Sequence, residues 1–183
     1  VEAELTGRLE TWPLLLVRHS HAQARSAYRG SDDARRPLSD RGKQRAKALV
    51  PVLGAWTPER VVSSSSARCV QTVKPFTNAT GTPLRTKAAL SEETFEVSPA
   101  KAGRQLVKAF ERGLPVALCT HRPLLPALVA TLSEHAPKGS PLLGRIKANG
   151  MDKGEVLVCQ MLGSGAKAQV ISVERLRTPV LER

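Results

Sequence analysis

The chain has 183 residues, with 28 Lys+Arg against 16 Asp+Glu and a formal net charge of +12. Apolar residues make up 41% of it, which fits one domain with its own core and excludes wholesale disorder, and no run of about 18 apolar residues is present to span a membrane. Aromatics are only 3%, so base stacking cannot carry single-strand binding; the charge either meets phosphate in another way or solvates a surface.

Val1 to Trp12 read as a tail or the end of an interdomain linker, residues 13–178 as one domain, and residues 179–183 as a second tail. Leu14-Leu15-Leu16-Val17 has the pattern of a fully buried strand, and a loop rich in Ser, Asp, Arg and Gly follows from Ala24 to Leu38. Ser39 caps a helix whose Ala46, Leu49, Val50 and Leu53 repeat at helical spacing, with Pro51 expected to kink or end it. Arg60 to Ser63 reads as a second strand. A helix from Ala67 to Thr77 follows, with Cys69, Val73 and Phe76 inward and Pro75 limiting its end. Ser98-Pro99 opens a helix that Gly113 stops. Val116 to Cys119 is a third buried strand, followed by a helix from Pro123 to His135. Gly154–Leu162 and Ala168–Val173 are two final strands joined by the turn at 163–165. Strands alternating with helices predict an α/β fold: three α/β/α layers around an open, mainly parallel sheet.

Chemistry collects after the strands. The first ends in Arg18-His19-Ser20-His21, the second in Ser63-Ser64-Ser65-Ser66-Ala67-Arg68, and the third in Thr120-His121-Arg122. Ligands of open α/β sheets bind beyond the carboxyl ends of the strands, so these segments meet in one cleft. Arginine forks suit phosphate oxygens and histidine carries a proton or a phosphoryl group, so the residue types point to phosphoryl transfer. His21, two residues beyond His19, is read as a rim residue, with a metal pair as the alternative. Arg25 and Arg29 either reach the pocket or solvate their loop. The Ser63–Ser66 run reads as a turn offering N–H and hydroxyl donors. Residues 18–47 hold nine Lys+Arg and three Asp, a net +6 read as a funnel for anionic substrate. Cys69, Cys119 and Cys159 are odd in number and set among apolar residues, which reads as buried thiols in a reducing, cytoplasmic setting.

Leu16-Val17-Arg18-His19-Ser20 resembles the Arg-His-Gly signature of the histidine phosphatase superfamily, the fold shared with phosphoglycerate mutases. Pro37 to Ala46 is similar to its Leu-Thr/Ser-x-x-Gly-x-x-Gln-Ala segment, and Ser64 to Thr72 to its Ser-x-x-x-Arg-x-x-Gln-Thr segment. Leu90-Ser91-Glu92 and Cys119-Thr120-His121 resemble its Leu-x-Glu element and its late catalytic histidine. Ser20 departs from the usual glycine, and Arg122-Pro123 follow the second histidine. The resemblance implies His19 as the nucleophile and Arg18 and Arg68 as the cradle for phosphoryl oxygens. His121 would be a hydrogen-bond donor to the same group, and Glu92 a general acid with Glu93 as its substitute. Ser20, Arg25, Arg29 and Arg122 are further candidates for binding substrate. No metal and no other cofactor is implied. The short span between Arg68 and Pro99 resembles the small SixA-like branch, whose members act on phosphohistidine proteins. The chain also resembles the phosphatase domain found after a Nudix (MutT-type) domain, which implies a small phosphorylated substrate, a nucleotide or phosphoanhydride, and an upstream Nudix partner in the same polypeptide. No specific nucleic acid and no membrane partner is expected. A phosphate- or partner-binding domain without turnover is the alternative from another class.

Overall fold

The computed structural model describes residues 10–138, 140 and 150–177. The two expected tails lie outside these residues except for Glu10, Thr11 and Trp12. The last two already belong to β1 (Thr11–Arg18), because Trp12 pairs with Met161 and its indole N–H donates to the Gly163 carbonyl at 2.8 Å.

Six strands form one sheet: β1, β2 (Arg60–Ser63), β3 (Leu84–Thr86), β4 (Val116–Thr120), β5 (Val156–Leu162) and β6 (Gln169–Leu176), in the order β3-β2-β4-β1-β5-β6. β3, β2, β4 and β1 run parallel, β5 runs against β1, and β6 runs against β5. The sheet is therefore mixed, with β5 alone reversed. Its faces are sorted by strand alternation. Leu14 and Leu16 point into a core with α4 (Ala100–Arg112) and α5 (Leu125–Glu134). Leu15 and Val17 point into a second core with α1 (Asp40–Gly54) and α2 (Ala67–Thr80). This is the expected three-layer α/β/α arrangement. Among the described residues no helix is long and apolar enough to cross a membrane.

The helix with Pro51 ends within a turn of it, whereas the expectation for Pro75 needs correction. α1 runs three residues past Pro51, whose ring faces solvent, and α2 continues past Pro75 to Thr80 before Gly81 ends it at φ 72°. One backbone bond lost in a helix is outweighed where flanking residues such as Val73, Phe76 and Thr77 are buried. Ser98 makes no side-chain cap for α4, whereas Ser91 caps the short helix α3 (Glu92–Val97) by accepting from the Thr94 N–H at 3.2 Å. Strand β3 and α3 had no periodic signal: β3 is three residues long with Arg85 and Thr86 exposed.

The start of α1 is docked onto the segment after β1. Ser39 accepts from the Gly42 N–H, and its own N–H donates to the His21 carbonyl at 2.9 Å. A β-carbon at position 42 would stand 1.9 Å from that carbonyl oxygen, so only glycine allows the approach.

Candidate active site

Register brings the chemistry together. Arg18 on β1 pairs with Thr120 on β4, and Ser63 on β2 pairs with Cys119, so three strands end at one level. His19, Ser64 and His121 each follow directly, and all three are buried. The rings of His19 and His121 meet edge to face with centroids 5.1 Å apart.

The tautomer of His19 is set locally. Its Nδ1 lies 2.7 Å from the Ser20 carbonyl oxygen, which accepts but cannot donate, so Nδ1 carries the proton and Nε2 keeps its lone pair. Burial, then His121 and the nearby arginines Arg68 and Arg18, push the pKa of His19 down to about 3. The ring is thus neutral throughout the physiological range. An NMR titration is expected to find no protonation of His19 between pH 8 and pH 5; a midpoint near the ordinary imidazole value would contradict this environment.

The α2 residues explain their own spacing. Arg68 sits in the first turn, fully buried; it donates to the Asp33 carbonyl at 2.8 Å and lies 3.2 Å from the Asp33 carboxylate and 3.4 Å from Glu92. Thr72, one turn on, donates to the Arg68 carbonyl and accepts from the Ser20 N–H at 2.9 Å, tying α2 to the segment after β1. Gln71 accepts from the Leu38 N–H at 2.8 Å and holds the approach to α1.

His121 and Glu92 are coupled. Nδ1 of His121 stands 3.4 Å from the Glu92 carboxylate, while Nε2 stands 2.9 Å from Ser64 Oγ and 3.3 Å from Cys69 Sγ. Contact with His121 and Arg68 lowers the Glu92 pKa to about 2, against the effect of burial. Burial opposes a charge on His121, yet its contacts with Cys69 and Glu92 raise its pKa above the ordinary value. Burial drives the Cys69 thiol upward, so it stays protonated and Glu92 is the anion that holds the proton on His121. Glu93 is exposed and is not placed here.

Arg18 donates to the Met151 carbonyl and feels the charge of Arg122, which stands exposed at the rim. Ser20 is fully buried, and its hydroxyl has no hydrogen bond within the described residues. Arg25 is 73% exposed and paired with Asp33 at 3.5 Å, and Arg29 is exposed; neither borders the pocket beside Arg18. Ligand atoms of His19, Glu92 and His121 lie within 4.8 Å of one another, so among the described residues the candidate metal cluster is made by these three and does not include His21. A metal there would compete with Arg68 for Glu92 and with the proton on His121. Asp33 and Cys69 were not singled out by the sequence as site residues. Asp33 lies 35 positions from Arg68 on an irregular loop, and Cys69 reads in the sequence as a buried core thiol.

Residues 14–102 match the histidine phosphatase superfamily (branch 1), a span that contains Arg18, His19, Arg68 and Glu92 in the expected order. The match to the histidine phosphatase superfamily covers just under half of the chain. His121 lies beyond the matched span and is joined to the superfamily residues by geometry. An 8-oxo-(d)GTP phosphatase of Mycolicibacterium smegmatis is 33% identical over 129 residues, covering 70% of this chain and 39% of that protein. This chain therefore spans about two fifths of that relative's length. Among solved structures, SixA from Nakamurella multipartitia aligns with a TM-score of 0.66 at 21% identity, over 90% of this chain and 96% of that one. A mycobacterial glucosyl-3-phosphoglycerate phosphatase aligns with a TM-score of 0.62 at 18% identity, over 91% and 97%. These two establish the histidine phosphatase fold and leave the substrate open.

Proposed function

We propose that this histidine phosphatase removes a terminal phosphate from a nucleotide or another phosphoanhydride through a phosphohistidine on His19. The observation that carries the reading is the neutral His19 ring, with its Nδ1 proton fixed on Ser20 and Nε2 left as the nucleophile beside buried Arg68 and His121. Nε2 attacks phosphorus; the N–P bond forms as the P–O bond to the leaving group breaks, and the electron pair departs on that oxygen. Water then displaces His19 from phosphorus and releases orthophosphate, which restores the neutral ring. Arg18, Arg68 and the protonated His121 stabilise the equatorial oxygens, where charge gathers in the transition state. The Ser20 hydroxyl and Arg122 are further substrate contacts in this account.

Leaving-group preference follows from Glu92. Its carboxylate is ionised in the free protein, with a pKa of about 2, and has no proton to give at neutral pH. Phosphate held on Arg68 and His121 would loosen those contacts and raise that pKa, which is how Glu92 would come to serve as an acid. Substrates whose leaving group departs without a proton are therefore favoured: phosphoanhydrides first, phosphoramidates second. The name of the curated relative supports the nucleotide reading, and the same logic supports a SixA-like action on phosphohistidine proteins as the second. With a Nudix-type domain in the same polypeptide, this site would take the nucleoside diphosphate or pyrophosphate that the Nudix step leaves.

A phosphate-release panel separates these. Nucleoside di- and triphosphates are expected to be turned over about tenfold or more faster than sugar monophosphates, as an unassisted alkoxide is a poor leaving group. Equal or better rates on sugar phosphates would reject the anhydride reading, and a rate confined to a phosphohistidine protein would favour the second.

A further inference from the structure

The sheet face packed by α4 and α5 opens towards its β3 edge. Strand alternation and register put Arg60 and Val62 of β2, Val116 and Leu118 of β4, and Arg85 of β3 on that face. The buried core there is built by β4, β1, β5 and β6, whereas β3 adds only the exposed Arg85. Helix α4 walls one side with Gln105, Lys108, Ala109 and Arg112, which recur at i, i+3, i+4 and i+7 and so share one helical face. The result is a groove of about 450 Å³, within the size range of small-ligand sites.

Its charge is one-sided. Arg60, Arg85, Lys87, Lys108 and Arg112 line the groove with a single carboxylate, Glu59. Among the described residues none of these five side chains makes an ion pair or a hydrogen bond. They differ in this from Arg25, Arg35, Arg36 and Lys43, each of which faces an aspartate. The crowding is felt at half-buried Arg60, whose pKa is lowered by burial, then by Arg112 and Arg85, with Glu59 acting in the opposite sense. Beneath the cations Val62, Val116 and Leu118 form an apolar floor, and Leu114, 40% exposed, stands beside it. Guanidinium forks take phosphate oxygens, and a guanidinium plane or an apolar floor takes the face of a heterocycle. An anion that carries a ring uses both halves of such a groove, whereas a bare phosphate uses one.

We propose that the groove between β2, β3 and α4 is a second ligand site, separate from the His19 site. It takes a nucleoside phosphate, with the phosphates on the arginines and the ring on the floor of Val62, Val116 and Leu118. The groove reaches the beginnings of β2 and β4, while His19, Ser64 and His121 follow the ends of their strands. Val116 precedes His121 by five residues, about 16 Å of extended chain. No side chain that lines the groove belongs to the His19 cluster. The site therefore does not rest on the phosphatase reading: a nucleotide bound here occupies the protein without meeting the reacting histidine.

Amide chemical-shift mapping by NMR tests this with a methylene-bridged analogue of guanosine diphosphate, whose P–C–P link resists hydrolysis. Saturable shifts are expected at Arg60, Val62, Arg85 and Lys108. Methylenediphosphonate, which lacks the nucleoside, is expected to bind there about tenfold or more weakly, as loss of the ring contacts implies. In the double variant R85E/R112E, both positions being exposed, affinity of the groove for the nucleotide falls about thirtyfold or more. The response of the His19 and His121 amides in that variant stays that of the wild type. Lys101→Glu, exposed on α4 outside the groove, keeps the affinity within about twofold. Shifts confined to the segments around His19 and His121, or nucleotide binding undiminished in R85E/R112E, overturn the site. Equal binding of methylenediphosphonate, or shifts produced by polyglutamate and not by the nucleotide, overturn the ligand assigned to it. A changed response at His19 and His121 in R85E/R112E overturns its separateness.

Discussion

His19→Ala is expected to lower turnover of p-nitrophenyl phosphate by about a thousandfold or more while leaving the fold intact. The size follows from what is removed. His19 is the attacking atom's only source in the account, so its loss leaves phosphate bound between Arg18, Arg68 and His121 with nothing to accept it. The fold survives because, among the described residues, the ring's polar and ring contacts are its neighbour's carbonyl and the edge of His121. Truncation of a small buried ring costs about 1–2 kcal/mol, which a thermal melt detects without global unfolding. The obvious competitor is Ser64, buried and 2.9 Å from His121 Nε2, with Glu92 on the far nitrogen. That arrangement resembles a serine–histidine–carboxylate triad. Its hydroxyl, however, is also engaged with Ser66 Oγ at 3.2 Å, and His121 is held protonated by Glu92, so it is not a base. Substantial turnover by His19→Ala would move the nucleophile to Ser64.

Arg68→Ala carries the second large effect, on rate and stability together. The side chain is fully buried, and it is the one cation placed between Asp33 and Glu92. Removing it leaves a void beside the Asp33 carbonyl and takes one partner from each of two carboxylates, which keep Arg36 and His121 respectively. Loss of one partner from a buried pair costs about 3–5 kcal/mol, and the partial exposure of Asp33 and Glu92 brings the expectation to the lower end, about 3 kcal/mol. The rate, kcat/KM, falls about a hundredfold or more, because a fork aimed at the equatorial oxygens is lost. Arg68→Lys separates the two effects. A lysine restores charge and part of the stability, but one ammonium cannot serve Asp33, Glu92 and a phosphoryl group in the plane the guanidinium provides. A fully active Arg68→Lys would show that charge alone suffices and would contradict a positioned cradle.

The legible part of this molecule lay at the ends of its buried strands. Leu14 to Val17 and Val116 to Cys119 are runs that only a sheet covered on both faces accommodates, and both were found there. Because functional residues follow those runs immediately, the meeting of Arg18, His19, Arg68 and His121 could be expected before any coordinates. Contacts made by irregular segments were not legible. Asp33 reaches Arg68 from a loop without periodicity, and Cys69 faces His121 because its helix starts where it does. The basic stretch was legible as charge but not as geometry. Four of its cations pair with its three aspartates, and the register of α1 against β1 places Arg41 and Arg45 in the same pocket wall as Lys153. The end of α2 was not legible from Pro75, because the burial of Phe76 and Thr77 outweighs one lost backbone bond.

Trapping the intermediate tests most directly whether His19 carries a phosphoryl group. Rapid mixing with a phosphoanhydride substrate, a quench in alkali and mass spectrometry of the digested protein is expected to find phosphate on His19. The adduct should survive base, decompose in acid and vanish in His19→Ala. Phosphate on Ser64 as an acid-stable ester, or active turnover with no phosphorylated residue at any time point, would contradict the account.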